Sequence, residues 1–440
     1  MTKLVLPSVL RDRAVRPGDR RYPLFQSTYV RTASPALILV PESADELAVA
    51  VTTARDSGLQ ISIRSGGHSL AGRSSNDGGI VLDLSALRQV DVLDTGTRRV
   101  QVGAGARWAH VAEALSEHGW AISSGDHGNV GVGGIATAGG IGWFVRRYGL
   151  TIDHIHAVDV VLADGTQVHA DHDHHPDLFW AMRGAGENVG IATSFEIDAA
   201  PIRNVGYANV VVEADLKGET VRRWSEYMAQ APRELTTTVA LFPRRGGFAA
   251  QFTAVVANED GALIRQLVEP LTRFGVRPLN QAAQVVPYTA LVSRSHVHPN
   301  LGQQPSTTTN ALLPTLTAAS AEAIMTMADH PNGPLVQLRA LGGAINDADS
   351  ATTAYAHRHQ EVLVIVTQFP PVGGVELDVV TKSLVPYADG AYRSFESRPD
   401  ERTFRKAFPG RTGDRVLRLR DRFDPDGVFR RPPLTGEPTR

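Results

Sequence analysis

Residues 125–142 read GDHGNVGVGGIATAGGIG, and eight of these eighteen residues are glycine. Glycines at this density let the backbone lie flush against a flat ligand and turn its N–H groups toward anionic oxygens. A flexible surface loop is the alternative, but Val130, Val132, Ile135 and Ile141 make the segment too apolar for a solvated linker. The segment therefore predicts a cradle for a bound ligand.

The same segment contains a near match to the dinucleotide-binding pattern G-x-G-x-x-G/A. The match runs from Gly131 to Ala136, and Asp153 follows at about the expected distance of roughly 20 residues. That pattern should follow the first strand of the fold and open a helix. Here a predicted helix over 107–120 and a loop come first, and glycines continue to Gly142. We therefore reject the dinucleotide interpretation.

A second glycine-containing loop, RSGGHS at 64–69, follows the apolar run at 59–63. Its two glycines fit a loop whose backbone N–H groups surround a phosphate. For His68 the residues alone leave three interpretations open. It is an ordinary polar loop residue, a general base, or the point where a cofactor is attached covalently.

The predicted elements around these loops change character along the chain. The first 200 residues predict an α+β unit with strands at 36–41, 59–65, 79–85 and 98–105 and helices at 43–58 and 107–120. After about residue 203, strand-like segments mix with predicted helices at 261–275 and 320–330. This second pattern is typical of an antiparallel sheet with helices on one face.

Composition excludes several classes of protein. The sequence has 440 residues, which suggests two domains, and a formal net charge of −2, which predicts neither a nucleic-acid partner nor a membrane surface. It contains no cysteine, so disulfides, thiol nucleophiles and thiolate metal sites are excluded.

The sequence also predicts where in the cell the protein is located and what kind of genome encodes it. The apolar patch near the N-terminus is interrupted by Pro7, and no apolar run approaches the roughly 18 residues of a membrane span. We expect a cytoplasmic protein. Only four of the 44 basic residues are lysine, which indicates a GC-rich, bacterial genome.

Several longer segments together carry a family resemblance. They are PALILVPESADELAVAVTTARDSGLQISIRSGGHSLAG (35–72), VQVGAGARWAHVAEAL (100–115), NVGVGGIATAGGIGWFVRRYGLTIDHI (129–155), DLFWAMRGAGENVGIATSFE (177–196) and LRDRFDPDGVF (419–429). In this order they resemble the FAD-linked oxidases of the vanillyl-alcohol-oxidase and p-cresol-methylhydroxylase superfamily. The closest group is the berberine-bridge-enzyme-like oxidases.

The resemblance implies a two-domain α+β fold. Residues 1–202 would form a PCMH-type FAD-binding domain, and residues 203–400 a substrate-binding domain made of an antiparallel sheet covered by helices. Residues 401–440 would return to the FAD-binding domain. The active site would lie between the two domains.

The resemblance also implies which residues hold FAD. His68 would carry a covalent 8α-histidyl bond to the flavin. The other implied contacts to the cofactor are Arg64, Ser65, Gly66, Gly67, Ser69, Val130, Gly131, Gly133, Gly134, Gly139, Gly142, Gly190, Ile191 and Ala192.

The implied reaction is that of an FAD-dependent oxidase. Hydride would pass from a small amine, alcohol or natural-product substrate to flavin N5, and dioxygen would reoxidise the flavin to give hydrogen peroxide. The alternatives are a flavin-dependent monooxygenase or cyclase of a secondary-metabolite pathway and a non-catalytic flavin or ligand carrier. The strand segments after residue 203 are interpreted as an apolar sheet, which favours an apolar or weakly polar substrate over a polysaccharide.

One departure from the family concerns the covalent attachment of the flavin, which we call the tether. Many members attach the flavin a second time through a cysteine, and the matching position here is His127. The resemblance therefore implies a single covalent bond, through His68 only. His127 either faces the flavin or substrate or is an ordinary loop residue.

A second departure concerns the catalytic base. The family's C-terminal motif often reads Tyr-Tyr-Gly-x-Asn, whereas the aligned stretch 408–412 reads FPGRT. Alcohol oxidation requires a group that accepts the hydroxyl proton, while an unprotonated amine does not. The candidates for catalysis are Tyr148, Gln368 and His127, and Gln368 is assigned to the apolar face of a strand over 361–368. Further polar candidates are Tyr288, His296, His298, Gln337 and Tyr392.

The histidine-rich run HADHDHHPD at 169–177 invites a metal hypothesis, because His172 and His174 would share one face of a strand. A catalytic zinc site needs three fixed ligands with supporting hydrogen bonds, and this run lies in a polar turn. We interpret these histidines as solvated and predict no metal site.

Overall fold

The computed structural model describes residues 5–331, 333–398 and 400–429. The predicted C-terminal segment 401–440 thus lies partly outside the described residues, from 430 onward. Within the described chain, strands form three sheets, two in the first 200 residues and one after them.

The first half of the chain builds a four-stranded and a five-stranded sheet. The four-stranded sheet has the order β1-β2-β4-β3 and is parallel between β2, β4 and β3, with β1 (Ala14–Val15), β2 (Leu37–Leu39), β3 (Ile61–Arg64) and β4 (Ile80–Asp83). The five-stranded sheet is antiparallel in the order β5-β6-β9-β7-β8, with β5 (Val90–Asp94), β6 (Arg99–Gly103), β7 (Ile155–Val161), β8 (Gln167–Asp171) and β9 (Ile191–Asp198).

The second half builds one seven-stranded antiparallel sheet in the order β13-β10-β12-β11-β15-β16-β14. Its strands are β10 (Asn204–Ala214), β11 (Leu235–Arg244), β12 (Gly247–Val256), β13 (Arg277–Pro287), β14 (Thr307–Leu313), β15 (Leu335–Ala340) and β16 (Val362–Gln368). The predicted two-domain α+β fold with an antiparallel sheet is therefore confirmed.

The α-helices connect and cover these sheets. In the first half they are α1 (Tyr22–Phe25), α2 (Ala44–Asp56), α3 (Trp108–Ser116), α4 (Val132–Ala136), α5 (Val145–Tyr148) and α6 (Pro176–Ala185). In the second half they are α7 (Glu219–Gln230), α8 (Gly261–Val268), α9 (Tyr288–Leu291), α10 (Ala318–Ala328), α11 (Ala344–Asp347), α12 (Gly374–Thr381), α13 (Glu401–Ala407) and α14 (Gly410–Phe423).

Helix α2 shows how local sequence sets an element. The Ser43 hydroxyl accepts a hydrogen bond from the Glu46 N–H at 3.1 Å, which caps the helix as its sequence predicts. Leu47, Ala50, Val51 and Ala54 recur at helical spacing and are fully buried against the first core.

The seven-stranded sheet has two unlike faces. Alternate residues such as Val210, Phe252 and Leu338 are buried under α7, α8 and α10 in one core. Because side chains alternate along a strand, the residues between them share the opposite face. We call the partly exposed polar side chains of that face the polar face; they are Asn209, Thr238, Gln251, Thr253, Gln337 and Arg339.

The polar face lies on the side of the two smaller sheets. At one end of it, Leu363 and Ile365 belong to the core of the first half. At the other end, Val255 packs in a cluster with Phe144, and Tyr207 packs against that cluster. The interpretation of this sheet as apolar throughout is therefore too simple: the face opposite the helices has polar side chains in its centre and apolar ones, such as Ile365 and Val255, at its ends.

Candidate functional site

Loop 64–69 is anchored at its first residue. Arg64 on β3 and Asp83 on β4 are neighbours in the parallel register of the two strands. The Arg64 Nε lies 3.1 Å from the Asp83 carboxylate, and both side chains are almost fully buried. Its guanidinium also donates to the Phe25 carbonyl at 2.6 Å and to the Ser27 carbonyl. The Arg64 side chain is therefore engaged within the protein, behind the loop, and contact of Arg64 with the cofactor, through the backbone of the loop, stays a prediction.

The glycines of the two loops fit against one another. A Cβ atom on Gly66 would lie 2.2 Å from the Gly131 nitrogen, and one on Gly131 would lie 2.2 Å from the Gly66 nitrogen. The Ser65 hydroxyl fixes the approach by donating to the Ala104 carbonyl at 2.6 Å. Loop 64–69 and segment 125–142 are thus in backbone contact, and this contact accounts for the two glycines.

We expect Gly66→Ala to prevent this contact and to abolish tight flavin binding. The added methyl group would overlap the backbone of Gly131, which cannot move as a flexible side chain can. Gly373→Ala is the matched control, since nothing lies within 4 Å of its Cβ position. The flavin absorbance of the purified variants measures the effect, and full flavin content in Gly66→Ala would contradict it.

One cavity joins both loops. It is lined by twelve of the residues that the resemblance assigns to FAD binding, namely Ser65, Gly66, Gly67, His68, Ser69, Val130, Gly131, Gly133, Gly134, Gly190, Ile191 and Ala192. Gly139 and Gly142 do not line it. A Cβ atom added to Gly139 would lie 3.0 Å from the Tyr392 ring, and one added to Gly142 would lie 1.8 Å from the Ser124 carbonyl oxygen. These two glycines are therefore required for close packing within the protein.

The other side of this central cavity comes from residues 391–408. The sequence predicts that the chain from residue 401 returns to the FAD-binding domain, but it does not identify these residues as part of the cofactor site. The lining there includes Ala391, Arg393, Ser394, Glu396, Arg398, Thr403, Phe404, Ala407 and Phe408. Arg393, Glu396 and Arg398 among them are charged, but the set contains no glycine-rich motif that would indicate a binding site in the sequence. The segment 391–408 reaches the cavity by running beside strand β14, where Asn310 bonds the Tyr392 backbone.

A carboxylate between two arginines also lines the cavity. Glu187 contacts Arg73 at 2.7 Å and Arg393 at 2.8 Å. Burial opposes its charged form, but Arg393 and Arg73 outweigh burial and hold the pKa of Glu187 below its ordinary value. The two ion pairs thus connect loop 64–74, the turn that follows α6 and segment 391–408.

His68 is half-buried and lines this cavity. Its ring stacks on Tyr29 with 4.7 Å between ring centroids, and its Nε2 lies 3.0 Å from the Asn129 Nδ2. Burial, together with the neighbouring His127, lowers the pKa of His68 to about 3. His68 is therefore neutral at pH 7, and because Nε2 already accepts a hydrogen bond it is poorly placed to act as a base on substrate.

His68 belongs to a group of four histidines, which we call the histidine cluster: His68, His127, His296 and His298. His127 lies 5.6 Å from His68 and 4.5 Å from His296, measured between ring centroids. Its Nδ1 accepts a hydrogen bond from the Asn129 N–H at 3.2 Å, so the neutral ring carries its proton on Nε2. His127 is thus beside the proposed tether but does not line the cavity.

The lowered pKa of His127 predicts a pH effect. Burial and His296 keep the folded side chain neutral below 6.5, whereas the unfolded chain takes up a proton near that value. The free energy of unfolding should therefore fall as the pH drops below about 6.5. In His127→Asn this fall should be shallower, as measured by urea unfolding at several pH values, with the exposed His172→Asn as control.

The remaining catalytic candidates lie in different places. Tyr148 packs against Phe144 and carries the Arg147 guanidinium over its ring at 5.4 Å. Gln368 is corrected: it shares the strand face of Val364 and Val366, which is buried under the helices and turned away from the polar face. Neither residue lines the central cavity.

Among the other catalytic candidates, the hydroxyl groups of both tyrosines already form hydrogen bonds within the protein. Burial raises the pKa of Tyr288 to about 12, and its hydroxyl lies 3.1 Å from that of Ser124. The Tyr392 hydroxyl accepts from the Gly140 N–H at 3.0 Å. Gln337 lies on the polar face. None of these positions supplies a ready base.

The histidine-rich run 169–177 is at the surface. His172 and His174 are 94% and 72% exposed in their side chains, and they contact only the adjacent Asp173 and Asp171. Across the part of the chain that the structure describes, no group of three or more histidine, aspartate or glutamate side chains is arranged to hold a metal ion. In the same residues no helix combines the length and apolar character needed to cross a membrane.

The arrangement fits a flavin. The cavity lies between the two glycine loops on one side and segment 391–408 on the other, and a neutral, half-buried histidine, His68, lines it. Gly134, in the first turn of α4, has open space where a Cβ would lie, which leaves room for a bound group. Backbone N–H groups of glycine loops suit the pyrophosphate of such a cofactor. Fold and cavity together define a flavoprotein.

Comparison with known proteins agrees. A family model for an FAD binding domain matches residues 35–171. The FAD-linked oxidoreductase dpmaF of Metarhizium anisopliae is 30% identical over 436 residues, which cover 90% of this chain and 83% of the relative. (R)-6-hydroxynicotine oxidase of Paenarthrobacter nicotinovorans is 36% identical over 198 residues, 44% of this chain and 43% of that protein.

Solved structures show the same fold. A chitooligosaccharide oxidase superposes with a TM-score of 0.83 at 23% identity, covering 95% of this chain and 96% of its own. The 6-hydroxy-D-nicotine oxidase of Arthrobacter nicotinovorans gives 0.82 at 23% identity and covers 98% of both chains. The chain belongs to the FAD-linked oxidoreductases, and it is an FAD-dependent oxidoreductase with the fold of the oxidases just named.

Proposed function

We propose that the protein oxidises a small, polar substrate carrying hydroxyl or amine groups, which lies between the flavin and the polar face. The observation that supports this substrate class is the polar face itself. Asn209, Thr253, Thr238 and Arg339 follow one another across four adjacent strands in register. Such a row offers hydrogen bonds to a polar ligand, whereas an apolar ligand would leave those groups without partners.

We further propose that FAD is held by one covalent bond, through His68. The support is the neutral, half-buried ring of His68 in the cavity lining and the absence of cysteine from the sequence. A glucooligosaccharide oxidase from Acremonium strictum carries 6-S-cysteinyl, 8α-N1-histidyl FAD and so provides a precedent for the histidyl bond. The bound flavin supplies the acceptor for hydride and passes the electrons to dioxygen.

The protein's own groups bind and orient in this proposal. Arg339 lies on β15, at the end of the polar face next to β16, and pairs with Asp126, at 2.6 Å, from the glycine-rich segment 125–142. It also lies over the Phe395 ring at 4.9 Å. A charged pair at this position suits a substrate with several polar groups, and Asp126 is the carboxylate best placed to accept a hydroxyl proton.

The domain limits remain proposals as well. We propose residues 1–202 and 401–440 for the FAD-binding domain and residues 203–400 for the substrate-binding domain. Separate buried cores in the two halves support this division. The contribution of Ala391 and Arg393 to the central cavity indicates that the last residues of the second segment serve both. Cytoplasmic location, bacterial origin and a role in secondary metabolism stay predictions from sequence.

A substrate screen tests the function. We expect hydrogen peroxide, in a one-to-one ratio with oxidised product, from xylooligosaccharides, chitooligosaccharides or 6-hydroxynicotine, which are named as substrates of relatives. Under labelled dioxygen the product should contain no label. Labelled oxygen in the product with little peroxide would instead establish the monooxygenase alternative.

Arg339→Gln tests the polar face. We expect this variant to raise KM by about tenfold or more while flavin content stays unchanged, because a charged hydrogen bond to the substrate is lost. Arg277→Gln, on the exposed edge strand β13, is the control. An unchanged KM in Arg339→Gln would remove the polar face from the binding site.

A further inference from the structure

The side chain of Asn129 has one possible orientation. It is fully buried, and its Oδ1 accepts from the Arg107 Nη1 at 2.8 Å and from the His298 N–H at 3.2 Å. Both of those groups can only donate. The Nδ2 must therefore point the other way, where its neighbours are His68 Nε2 at 3.0 Å, the Asn300 Oδ1 at 3.2 Å and His298 Nδ1 at 3.4 Å. Its two hydrogens go to the two shorter contacts, His68 and Asn300.

This orientation places a requirement on His68. The ring nitrogen facing Asn129, Nε2, must keep a lone pair in order to accept. An imidazole bonded to carbon through Nδ1 keeps that lone pair when neutral, whereas one bonded through Nε2 has none there. Stacking on Tyr29, with the two rings 16° from parallel, holds the imidazole plane.

A loop from the second half of the chain closes this arrangement. The Asn300 Nδ2 donates to the Gly66 carbonyl at 2.6 Å, and the Gly302 N–H donates to the Thr28 carbonyl at 2.8 Å. Asn300 is fully buried, like Asn129. The two amides and the carbonyl of loop 64–69 form one hydrogen-bonded chain, so the position of Asn129 relative to His68 is set from both sides.

We propose that Asn129 is the positioning residue for the flavin tether and directs the bond to Nδ1 of His68; this rests on the proposed function, in which His68 carries FAD. In the attachment, a C–H bond of the flavin 8α-methyl group and an N–H bond of His68 break, and one C–N bond forms. The two hydrogens and two electrons pass by way of the flavin to dioxygen, which becomes hydrogen peroxide. Burial of the site and its low histidine pKa agree with a linked ring that stays neutral.

The test uses Asn129→Leu, which keeps the size of the side chain and removes its hydrogen bonds. Protein from riboflavin-limited cells is incubated with FAD, and the flavin that remains with acid-precipitated protein is followed over time. We expect attachment about tenfold slower than in the unmodified protein. NMR of the isolated flavin peptide should show Nδ1 linkage in the unmodified protein and mixed Nδ1 and Nε2 linkage in the variant.

Two further measurements separate the possible failures. Asn280→Leu, an exposed amide on β13, should attach FAD at the unmodified rate. If Asn129→Leu does not fold, Asn129→Ser, whose hydroxyl is too short to reach His68, takes its place. Equal rate and pure Nδ1 linkage in these variants would overturn the role of Asn129.

Absence of covalent flavin from the unmodified protein would instead defeat the proposed tether. In that case ¹⁵N NMR of the His68 ring still decides the role of Asn129. We expect an unprotonated, hydrogen-bonded Nε2 in the unmodified protein and loss of that state in Asn129→Leu. An Nε2 that carries the proton in the unmodified protein would overturn the proposed orientation.

Discussion

His68→Ala is expected to release all of the flavin from the protein under acid. In the unmodified protein the yellow colour should stay with the precipitate, because the bond to His68 is the single proposed tether and the chain has no cysteine to provide another. In the variant the colour should move entirely to the supernatant. The oxidase rate should fall by at least tenfold, since a covalent 8α bond both retains the cofactor and raises its electron affinity.

The matched control for this result is His172→Ala. His172 is 94% exposed and contacts only Asp173, so its replacement should leave the colour with the precipitate. Peptide mass spectrometry of the unmodified protein should find the flavin mass on the peptide that contains residues 64–69. Covalent flavin that persists in His68→Ala would show that another residue carries the bond.

Asp83→Leu is expected to lower the free energy of unfolding by about 3–5 kcal/mol, the range typical of breaking a buried ion pair. The change leaves the Arg64 guanidinium charged, buried and without its carboxylate. Arg64 is also the first residue of the loop that contains His68. Loss of its ion pair should therefore displace this loop and lower the flavin content of the purified protein as well. Urea unfolding followed by tryptophan fluorescence measures the first effect, and absorbance the second.

Two comparisons separate this effect from a general loss of charge. Asp56→Leu removes a surface carboxylate that is 68% exposed and pairs with Arg55, and it should change stability by less than about 1 kcal/mol. The double variant Arg64→Met with Asp83→Leu should recover much of the loss, because it leaves no unpaired charge. A double variant as unstable as Asp83→Leu alone would show that the carbonyl contacts of Arg64 matter more than its charge.

The sequence predicts best where a residue's local pattern decides its role. Ser43 and Glu46 predict the start of α2 because a cap is a contact within one turn. The glycines of 64–69 and 125–142 predict close approach, and the structure brings both loops into one cavity. The partner in that approach was not predictable, since the contact of Gly66 with Gly131 spans 65 residues of chain.

Side-chain direction was harder to predict. Arg64 is the first residue of RSGGHS, and nothing in that stretch indicates that Asp83 in the neighbouring parallel strand pairs with its side chain. Gln368 was assigned to the correct strand face, but nothing in the sequence says which face of that strand meets the helices. Glu187 and Arg393 are 206 residues apart, and only the folded chain shows that they form an ion pair.

The lining of the central cavity has a consequence for how the enzyme is made. It joins loop 64–74 to segment 391–408, so its two sides are more than 300 residues apart in the chain. During synthesis on the ribosome, the first side emerges long before the second, and the cofactor pocket is incomplete until segment 391–408 has emerged. A chain truncated before residue 391 would therefore lack one side of the pocket that holds its flavin.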